Sequence, residues 1–204
     1  MVGAIKAVVT GATGLLGQAL VKTLLAEGTE VHAIARPGSF RNRRLTGEPS
    51  VLVHEVDLSD LRSAVDKLPN DVDVFFHLAW AGTAPAWRND ARLQESNIAC
   101  TLDAVELARA VGCRVFVGAG SQAEYGRVEG LVSPDAPCKP ETAYGVAKLC
   151  AGQMSRLLCN EYDIRHSWAR ILSLYGPYDA STTMMSCLIA TLLSGRAMEL
   201  TRCE

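Results

Sequence analysis

The sequence GATGLLG at residues 11–17 is the most informative stretch of this chain. It follows a short β-branched run, residues 4–10, which is typical of a buried strand, and it opens an apolar-periodic segment that predicts a helix to about Glu27. Glycines allow a tight turn, and the free N–H groups of a helix N-terminus attract phosphate. Three glycines alone would fit a plain structural turn. Placed directly after a predicted strand, spaced G-x-x-G-x-x-G and followed by a predicted helix, they predict a dinucleotide-binding unit.

Strand-like and helix-like segments alternate along the rest of the chain. This alternation implies right-handed crossovers and a parallel sheet covered on both faces, an α/β doubly wound fold of the Rossmann type, with the site at the carboxyl ends of the strands. We expect one such domain over residues 1–172 and the beginning of a smaller substrate-binding part over residues 173–204. The further predicted strands are about 30–35, 50–56, 73–79, 114–117 and 165–172, and the further helices about 59–67, 89–111 and 141–162.

Composition narrows the classes of function. The 204 residues are 49% hydrophobic and 21% charged with a net charge of −2, which gives no reason to expect nucleic acid or an anionic membrane as partner. No signal-peptide pattern and no apolar stretch of ~20 residues is present. The seven cysteines form no C-x-x-C pair, so we expect reduced thiols in a cytoplasmic protein and no metal site.

The second predicted strand ends at Arg36, where an NAD-specific site usually carries an acidic residue for the ribose hydroxyls. Ser39, Arg41, Arg43 and Arg44 follow. A guanidinium at this point can pair with a 2′-phosphate, so the sequence favours NADP over NAD as the cofactor. A solvated basic loop explains Arg43 and Arg44 equally well but explains Arg36 less well.

The sequence YGVAK at residues 144–148 places a phenol and an ammonium on one face of a predicted helix. A free Tyr has a pKa of about 10, and a nearby lysine ammonium lowers that pKa, which makes the phenol usable in proton transfer. Such a pair is also common by chance on amphipathic helices. The glycine turn upstream favours the functional interpretation of Tyr144 and Lys148.

These motifs together resemble the extended short-chain dehydrogenase/reductases, and within them the nucleotide-sugar epimerase/dehydratase/reductase group. The similarity extends over essentially the whole chain. The phrases AWAGT and GSQAEYG most resemble bacterial enzymes of the CDP-abequose synthase type, which reduce a 4-keto-6-deoxyhexose on a nucleotide. The matching pieces besides the glycine turn and YGVAK are HLA at 77–79, GSQAEYG at 120–126 and RILSLYGP at 170–177.

The resemblance implies a role for individual residues. Tyr144 would transfer the proton and contact the cofactor, Lys148 would lower the pKa of Tyr144 and hydrogen-bond the nicotinamide ribose, and Ser121 would hydrogen-bond the reacting sugar oxygen. The remaining implied cofactor contacts are Gly11, Thr13, Gly14, Leu15 and Leu16 along the pyrophosphate, Asp57 and Leu58 at the adenine, and Leu78, Ala79, Ala81 and Asn97 along the middle of the cofactor.

The chain departs from the family pattern at three points. Family dehydratases carry Asp-Glu after the catalytic Ser or Thr, whereas this chain has Gln122 and Ala123, so elimination of water lacks its acid and base. Ser173 stands where many relatives have an Asn near the sugar diphosphate. Relatives also continue well beyond the region that matches residues 199–204, so we expect this chain to be truncated.

Three functions remain open at this point. The first is an NADP-dependent reductase of a nucleotide-linked 4-keto sugar, and the second is a nucleotide-sugar 4-epimerase with retained NAD. The third, from another class, is a non-catalytic dinucleotide-binding module or inactive fragment. The resemblance also implies a homodimer through the helices near 89–111 and 141–162, although their apolar faces could equally be ordinary core.

Overall fold

The computed structural model describes residues 4–47 and 50–198. The chain divides after Leu172 into two compact units. The first unit contains one six-stranded, wholly parallel sheet. Its strands are β1 (Lys6–Thr10), β2 (Glu30–Ala35), β3 (Val51–Glu55), β4 (Val74–His77), β5 (Val115–Ser121) and β6 (Arg165–Ile171).

The strand order in the sheet is β3-β2-β1-β4-β5-β6. The chain therefore leaves the centre in one direction after β1 and in the other direction from β4 onward, and ligands of such sheets bind at the point of reversal. This confirms the predicted Rossmann-type α/β fold. The helices of the first unit are α1 (Leu15–Ala26), α2 (Ala91–Ala110) and α3 (Ala143–Glu161), and 3₁₀ segments lie at Phe40–Arg44, Leu58–Lys67, Pro85–Trp87 and Gln122–Glu124.

Alternating side chains of the central strands build a core on each face of the sheet. Val9 and Val31 pack on one face, where Leu20 and Leu24 of α1 cover them. The opposite face carries the larger cluster, which includes the fully buried Phe75. Burial on both faces explains why these strands read as continuous apolar runs in the sequence.

Strand β5 extends further at its carboxyl end than expected from the sequence, because its glycines accommodate the partly buried indole of Trp168. A Cβ added at Gly118 would lie 2.2 Å from Cζ3 of Trp168, and one added at Gly120 would lie 2.5 Å from its Nε1. Gly152 of α3 leaves room for the same ring, since a Cβ there would lie 2.7 Å from Cε2. The glycine-rich run that suggested a loop is thus a strand, and it ends at Ser121.

The second unit, described by itself, contains α4 (Met184–Leu193). Asp179 precedes this helix and accepts hydrogen bonds through Oδ2 from the hydroxyls of Thr183 at 2.7 Å and Ser186 at 3.3 Å. The predictions made for residues 199–204 lie outside the described residues. Within residues 4–47 and 50–198, no helix combines the length and the apolar character that crossing a bilayer requires.

Candidate functional site

A cleft of about 450 Å³ opens at the carboxyl ends of β1, β2, β3 and β4, at the point where the strand order reverses. It is bounded by the glycine turn after β1, the ends of β2 and β3 and the segment after β4. Most of the cofactor contacts predicted from the sequence line it. These are Gly11, Thr13, Gly14, Arg36, Asp57, Leu58, Leu78, Ala79 and Ala81.

The glycine turn has the geometry that a pyrophosphate needs. Gly11 adopts φ +73°, and a Cβ there would lie 2.7 Å from the Ala79 nitrogen, so a side chain would be strained and would clash with the backbone just after β4. Gly14 is the N-cap of α1 and offers no side-chain hydrogen bond to the first turn. The N–H groups at this helix end are therefore available to an anion in the cleft.

The segment after β2 places cations along the cleft. Arg36, Ser39 and Arg41 line it. The Asp57 carboxylate also faces the cleft but accepts hydrogen bonds from Ser59, and these bonds, together with the nearby Arg36 charge, lower the pKa of Asp57. Arg44 is more than a solvated side chain of a basic loop, because its Nη1 donates to the Thr13 carbonyl at 2.6 Å.

Three contacts predicted along the pyrophosphate and the middle of the cofactor do not line the cleft. Leu15 and Leu16 lie half-buried at the start of α1. The Asn97 side chain is buried in the fold, where Oδ1 accepts from the Ala81 N–H at 2.7 Å and Nδ2 donates to the Ala81 carbonyl at 3.1 Å. The structure therefore does not bring Asn97 to the cleft as predicted, because its amide instead holds Ala81, which does line the cleft.

Ser121 and Tyr144 meet where β5 ends and α3 begins. The Tyr144 side chain is nearly buried, at 9% exposure, and hydrogen bonding links it to the side chain of Ser121. The loop after β4 caps this helix end, since the Tyr144 N–H donates to the Arg88 carbonyl at 2.8 Å and the Ala143 N–H to Oδ1 of Asn89 at 3.2 Å. The position of the phenol is thus fixed by its own helix and by the loop.

Burial raises the pKa of Tyr144, and hydrogen bonding to Ser121 and the Arg88 charge only partly offset this rise, to which Glu124 adds. The sequence predicted that Lys148 would lower the pKa of this phenol. In the structure Lys148 is buried and Nζ donates to the Ala119 carbonyl at 2.6 Å. Burial also lowers the pKa of Lys148 to about 7. The charge that lowers the pKa of Tyr144 in the structure is that of Arg88.

Three residues at this site were not identified from the sequence: Trp80, Arg88 and Glu124. Trp80 lines the cleft, and Arg88 lines a second cleft of about 360 Å³ together with Ser121 and Gln122. Glu124 is fully buried behind Ser121. An acidic residue inside the matched phrase GSQAEYG was a usable signal for Glu124, whereas nothing in the sequence pattern distinguished Arg88 from other loop arginines.

Buried His77 gives the fold a pH dependence that can be tested. Its ring contacts the hydroxyls of Thr10 at 3.0 Å and Thr101 at 3.4 Å, and burial lowers the pKa of His77 to about 3, with the Lys148 charge contributing. Between pH 6.5 and about 3 the unfolded chain binds a proton here that the folded chain does not. Stability should therefore fall as pH drops below about 6.5, by up to about 1.4 kcal/mol per pH unit from this residue.

Urea unfolding of the wild type and of His77→Gln at several pH values between about 7 and 5, on either side of the usual histidine pKa, measures this term. We expect a smaller slope of unfolding free energy against pH in the variant, because the contribution of His77 is lost. The slope should not vanish, because His54 and His166, whose pKa values burial also lowers, continue to contribute. Equal slopes for the two proteins would show that His77 is not the source.

No group of three or more His, Cys, Asp or Glu side chains in the described ranges is arranged to hold a metal ion. The six cysteines within those ranges are free thiols.

The chain is similar in sequence to one protein family and to several curated proteins. A family model described as "NAD dependent epimerase/dehydratase family" matches residues 7–203. GDP-mannose 3,5-epimerase 1 of Oryza sativa subsp. indica is 29% identical over 83% of this chain and 47% of its own length. dTDP-6-deoxy-L-talose 4-dehydrogenase (NAD(+)) of Aggregatibacter actinomycetemcomitans is 28% identical over 69% of this chain and 50% of its own length.

The structure of a mutant UDP-glucuronic acid 4-epimerase from Bacillus cereus, in complex with UDP-4-deoxy-4-fluoro-glucuronic acid and NAD, superposes with a TM-score of 0.80. It is 25% identical in sequence, with 94% of this chain and 64% of the other covered. The chain spans about half the length of the curated relatives it matches. Because the family model covers nearly all of its residues, the chain belongs to the NAD dependent epimerase/dehydratase family.

Proposed function

We propose that this chain carries the dinucleotide-binding part of an NADP-dependent oxidoreductase that reduces a nucleotide-linked 4-keto-6-deoxyhexose, with Tyr144 as the acid. The observation that carries the proposal is the nearly buried Tyr144, linked to Ser121 in a fold whose cleft has arginines at the end of β2. A phenol with a raised pKa stays protonated at neutral pH, which is the state that a reduction needs in its proton donor.

Each residue of the site has a distinct part in the proposed reaction. Bound in the cleft, the dinucleotide would supply the hydride. Ser121 would hydrogen-bond the sugar oxygen and hold it near the Tyr144 hydroxyl, which gives that oxygen its proton. Lys148 would hold the ribose of the cofactor, and Arg88 would keep the pKa of Tyr144 from rising further. The residues that line the cleft would hold the pyrophosphate at Gly11 and Gly14 and the adenosine half beside Arg36 and Asp57.

Gln122 and Ala123 argue against a dehydratase. Both line the second cleft beside Ser121, where a leaving hydroxyl would need an acid and a base. An amide and a methyl group supply neither.

A nucleotide-sugar 4-epimerase is the second candidate, because relatives of this chain include UDP-glucuronate 4-epimerase 1 of Arabidopsis thaliana. The two reactions differ in their use of cofactor. A reductase oxidises one NADPH for each ketone reduced, whereas an epimerase returns its hydride to the same carbon. The absorbance of NADPH in the presence of nucleotide-linked 4-keto sugars therefore tests the proposal. Stoichiometric NADPH consumption supports the reductase. No consumption there, together with interconversion of the 4-hydroxy epimers of a nucleotide sugar in the presence of NAD, overturns it in favour of the epimerase.

Arg36 gives a separate prediction about the choice of dinucleotide. A charge-assisted hydrogen bond to a 2′-phosphate is worth about 1.5–3 kcal/mol, so Arg36→Gln should weaken NADPH binding by about 10- to 100-fold and leave NADH binding nearly unchanged. Calorimetric titration of both dinucleotides measures this. Arg43→Gln is the matched control, since the Arg43 guanidinium lies over the exposed Phe40 ring rather than along the cleft. Equal losses for NADPH and NADH would contradict the assignment to the 2′-phosphate.

We further propose a homodimer and a cytoplasmic location, from the exposed apolar residues of α3 and from the free thiols. The exposed stripe of Val146, Met154 and Leu157 on α3 supports a homodimer formed through α2 and α3. Free thiols suit a reducing compartment, which supports a cytoplasmic location.

A further inference from the structure

The Lys148 ammonium is held mainly by aromatic rings. An ammonium has three N–H donors, and in the part of the chain that the structure describes only the Ala119 carbonyl accepts from this one. The side chain is 4% exposed, so bulk water does not complete its solvation. The Trp80, Trp168 and Tyr144 rings surround the nitrogen, with their centroids at 3.6, 5.8 and 5.9 Å from Nζ.

We call the Trp80, Trp168 and Tyr144 rings the aromatic cage of Lys148. Trp80 contributes most to this cage because its ring is much the nearest to the Lys148 nitrogen. A cation over the face of an indole is attracted by its quadrupole, and the attraction is strongest where water is excluded. Few titratable groups lie near the ammonium. The Glu124 charge raises the pKa of Lys148 and so favours the ammonium, and His77 on β4 is buried as a neutral imidazole. The Trp80 ring therefore stabilises the charged form of Lys148, which burial disfavours.

A buried amide fixes the Trp80 ring in this place. The indole Nε1 donates to Oε1 of Gln94 at 2.8 Å, and Gln94 is fully buried on α2. The Nε2 of the same amide donates to the carbonyls of Gly82 at 2.9 Å and Trp87 at 3.0 Å, so one side chain sets both the ring and the loop that follows it. Trp80 also meets the Tyr144 ring edge to face, with centroids 6.0 Å apart and planes at 83°.

The same indole lies along the large cleft, whereas Lys148 does not line it. A dinucleotide that fills the cleft toward Tyr144 therefore meets the Trp80 ring before it meets the lysine.

We propose that Trp80 is the positioning residue for Lys148: its indole face holds the ammonium against the Ala119 carbonyl, and a bound dinucleotide draws the ammonium off that ring to its ribose hydroxyls. The first half depends on the contacts above alone. The second half rests on the proposed function, because it requires a pyridine dinucleotide in the cleft.

The full chain carrying lysine labelled with ¹³C at Cε tests both halves by NMR. The signal of Lys148 is identified by its disappearance in Lys148→Arg. A methylene over an indole face is shifted upfield by the ring current, so this signal should lie upfield of those of the other lysines. Trp80→Leu should return it toward them and lower the pKa of Lys148, because the stabilisation of the charge is lost. If Trp80 served only to exclude water, the same variant would raise that pKa.

Two further variants control the experiment. Trp87→Leu changes a half-exposed indole on the same loop and should leave the Lys148 signal in place. Trp80→Phe keeps an aromatic face in a smaller ring and should give an intermediate shift, which answers the question even if Trp80→Leu does not fold. A wild-type signal that coincides with those of the exposed lysines would overturn the cage.

Addition of NADPH to the wild type tests the second half. The Lys148 signal should move downfield as the ammonium leaves the ring. An unchanged signal in a sample where calorimetry shows bound NADPH would overturn the displacement. If NADPH does not bind at all, the proposed function fails, while the ring-current result still stands or falls by itself.

Discussion

Replacement of Tyr144 by Phe should lower the turnover of the proposed reductase by about 10²- to 10⁴-fold, the usual contribution of a positioned general acid. The substitution removes one hydroxyl and keeps the ring, so the edge contact with Trp80 and the packing of α3 are retained. Affinity for NADPH should change little, because the lost group acts on the substrate. The measurements are kcat from NADPH oxidation and the dissociation constant from calorimetry.

Tyr162→Phe is the matched control, since Tyr162 is the C-cap at the far end of the same helix. Its turnover should match that of the wild type. A Tyr144→Phe protein that retained wild-type turnover would remove the phenol from the mechanism. A wild type that binds NADPH tightly but turns over no sugar would instead identify the chain as a binding module.

The pH dependence of the wild-type activity also tests whether Tyr144 donates the proton. Reduction requires the protonated phenol, and burial raises the pKa of Tyr144, so activity should persist into mildly alkaline solution and decline only above the usual range of a Tyr. Lys148, whose pKa burial lowers to about 7, also loses its charge in this range. An activity that disappeared between about pH 7 and 8 both in the wild type and in Lys148→Arg, whose charge does not titrate there, would mean that a group other than the phenol provides the proton.

The half of the cleft formed by the glycine turn could be predicted because its determinants are local. Gly11 and Gly14 belong to one short turn, they follow a strand of buried residues, and the turn conformation that they allow depends on little else. The alternation of strands and helices likewise predicted the sheet, since handed crossovers leave few other arrangements.

The surroundings of Tyr144 and Lys148 could not be predicted to the same depth because their contacts join residues far apart in the chain. The orientation of Lys148 depends on Trp80, far earlier in the sequence, and the length of β5 depends on Trp168, whose ring fills the space left by its glycines. The pair spacing of Tyr144 and Lys148 predicted that both would reach the site. It could not show that an indole, rather than the phenol, is the nearest aromatic partner of the ammonium.

Loss of the Glu124 carboxylate should destabilise the fold by about 3 kcal/mol, the lower end of the range for a buried ion pair, because Glu124 is fully buried whereas the Arg170 side chain is 28% exposed. Its Oε1 accepts from the Ser121 N–H at 2.8 Å and from Nε1 of Trp168 at 3.0 Å, and its Oε2 accepts from Nε of Arg170 at 2.8 Å. Glu124→Ala leaves these three partly buried donors without their acceptor, and urea unfolding measures the cost.

Glu141→Ala is the matched control, because Glu141 pairs with Arg127 on the surface, where such pairs contribute about 0–1 kcal/mol. If the two variants cost the same, the carboxylate does not hold β5 and β6 together.

A double variant separates the ion pair from simple packing. Arg170 is charged at every accessible pH, and hydrogen bonding to Glu124 raises its pKa further. Arg170→Met should therefore cost less in the Glu124→Ala background than in the wild type, because it then removes a charge that has already lost its partner. Equal costs in both backgrounds would mean that the two side chains act independently. Since Glu124 also holds the Ser121 backbone, the same pair that stabilises the sheet sets the position of the proposed substrate contact.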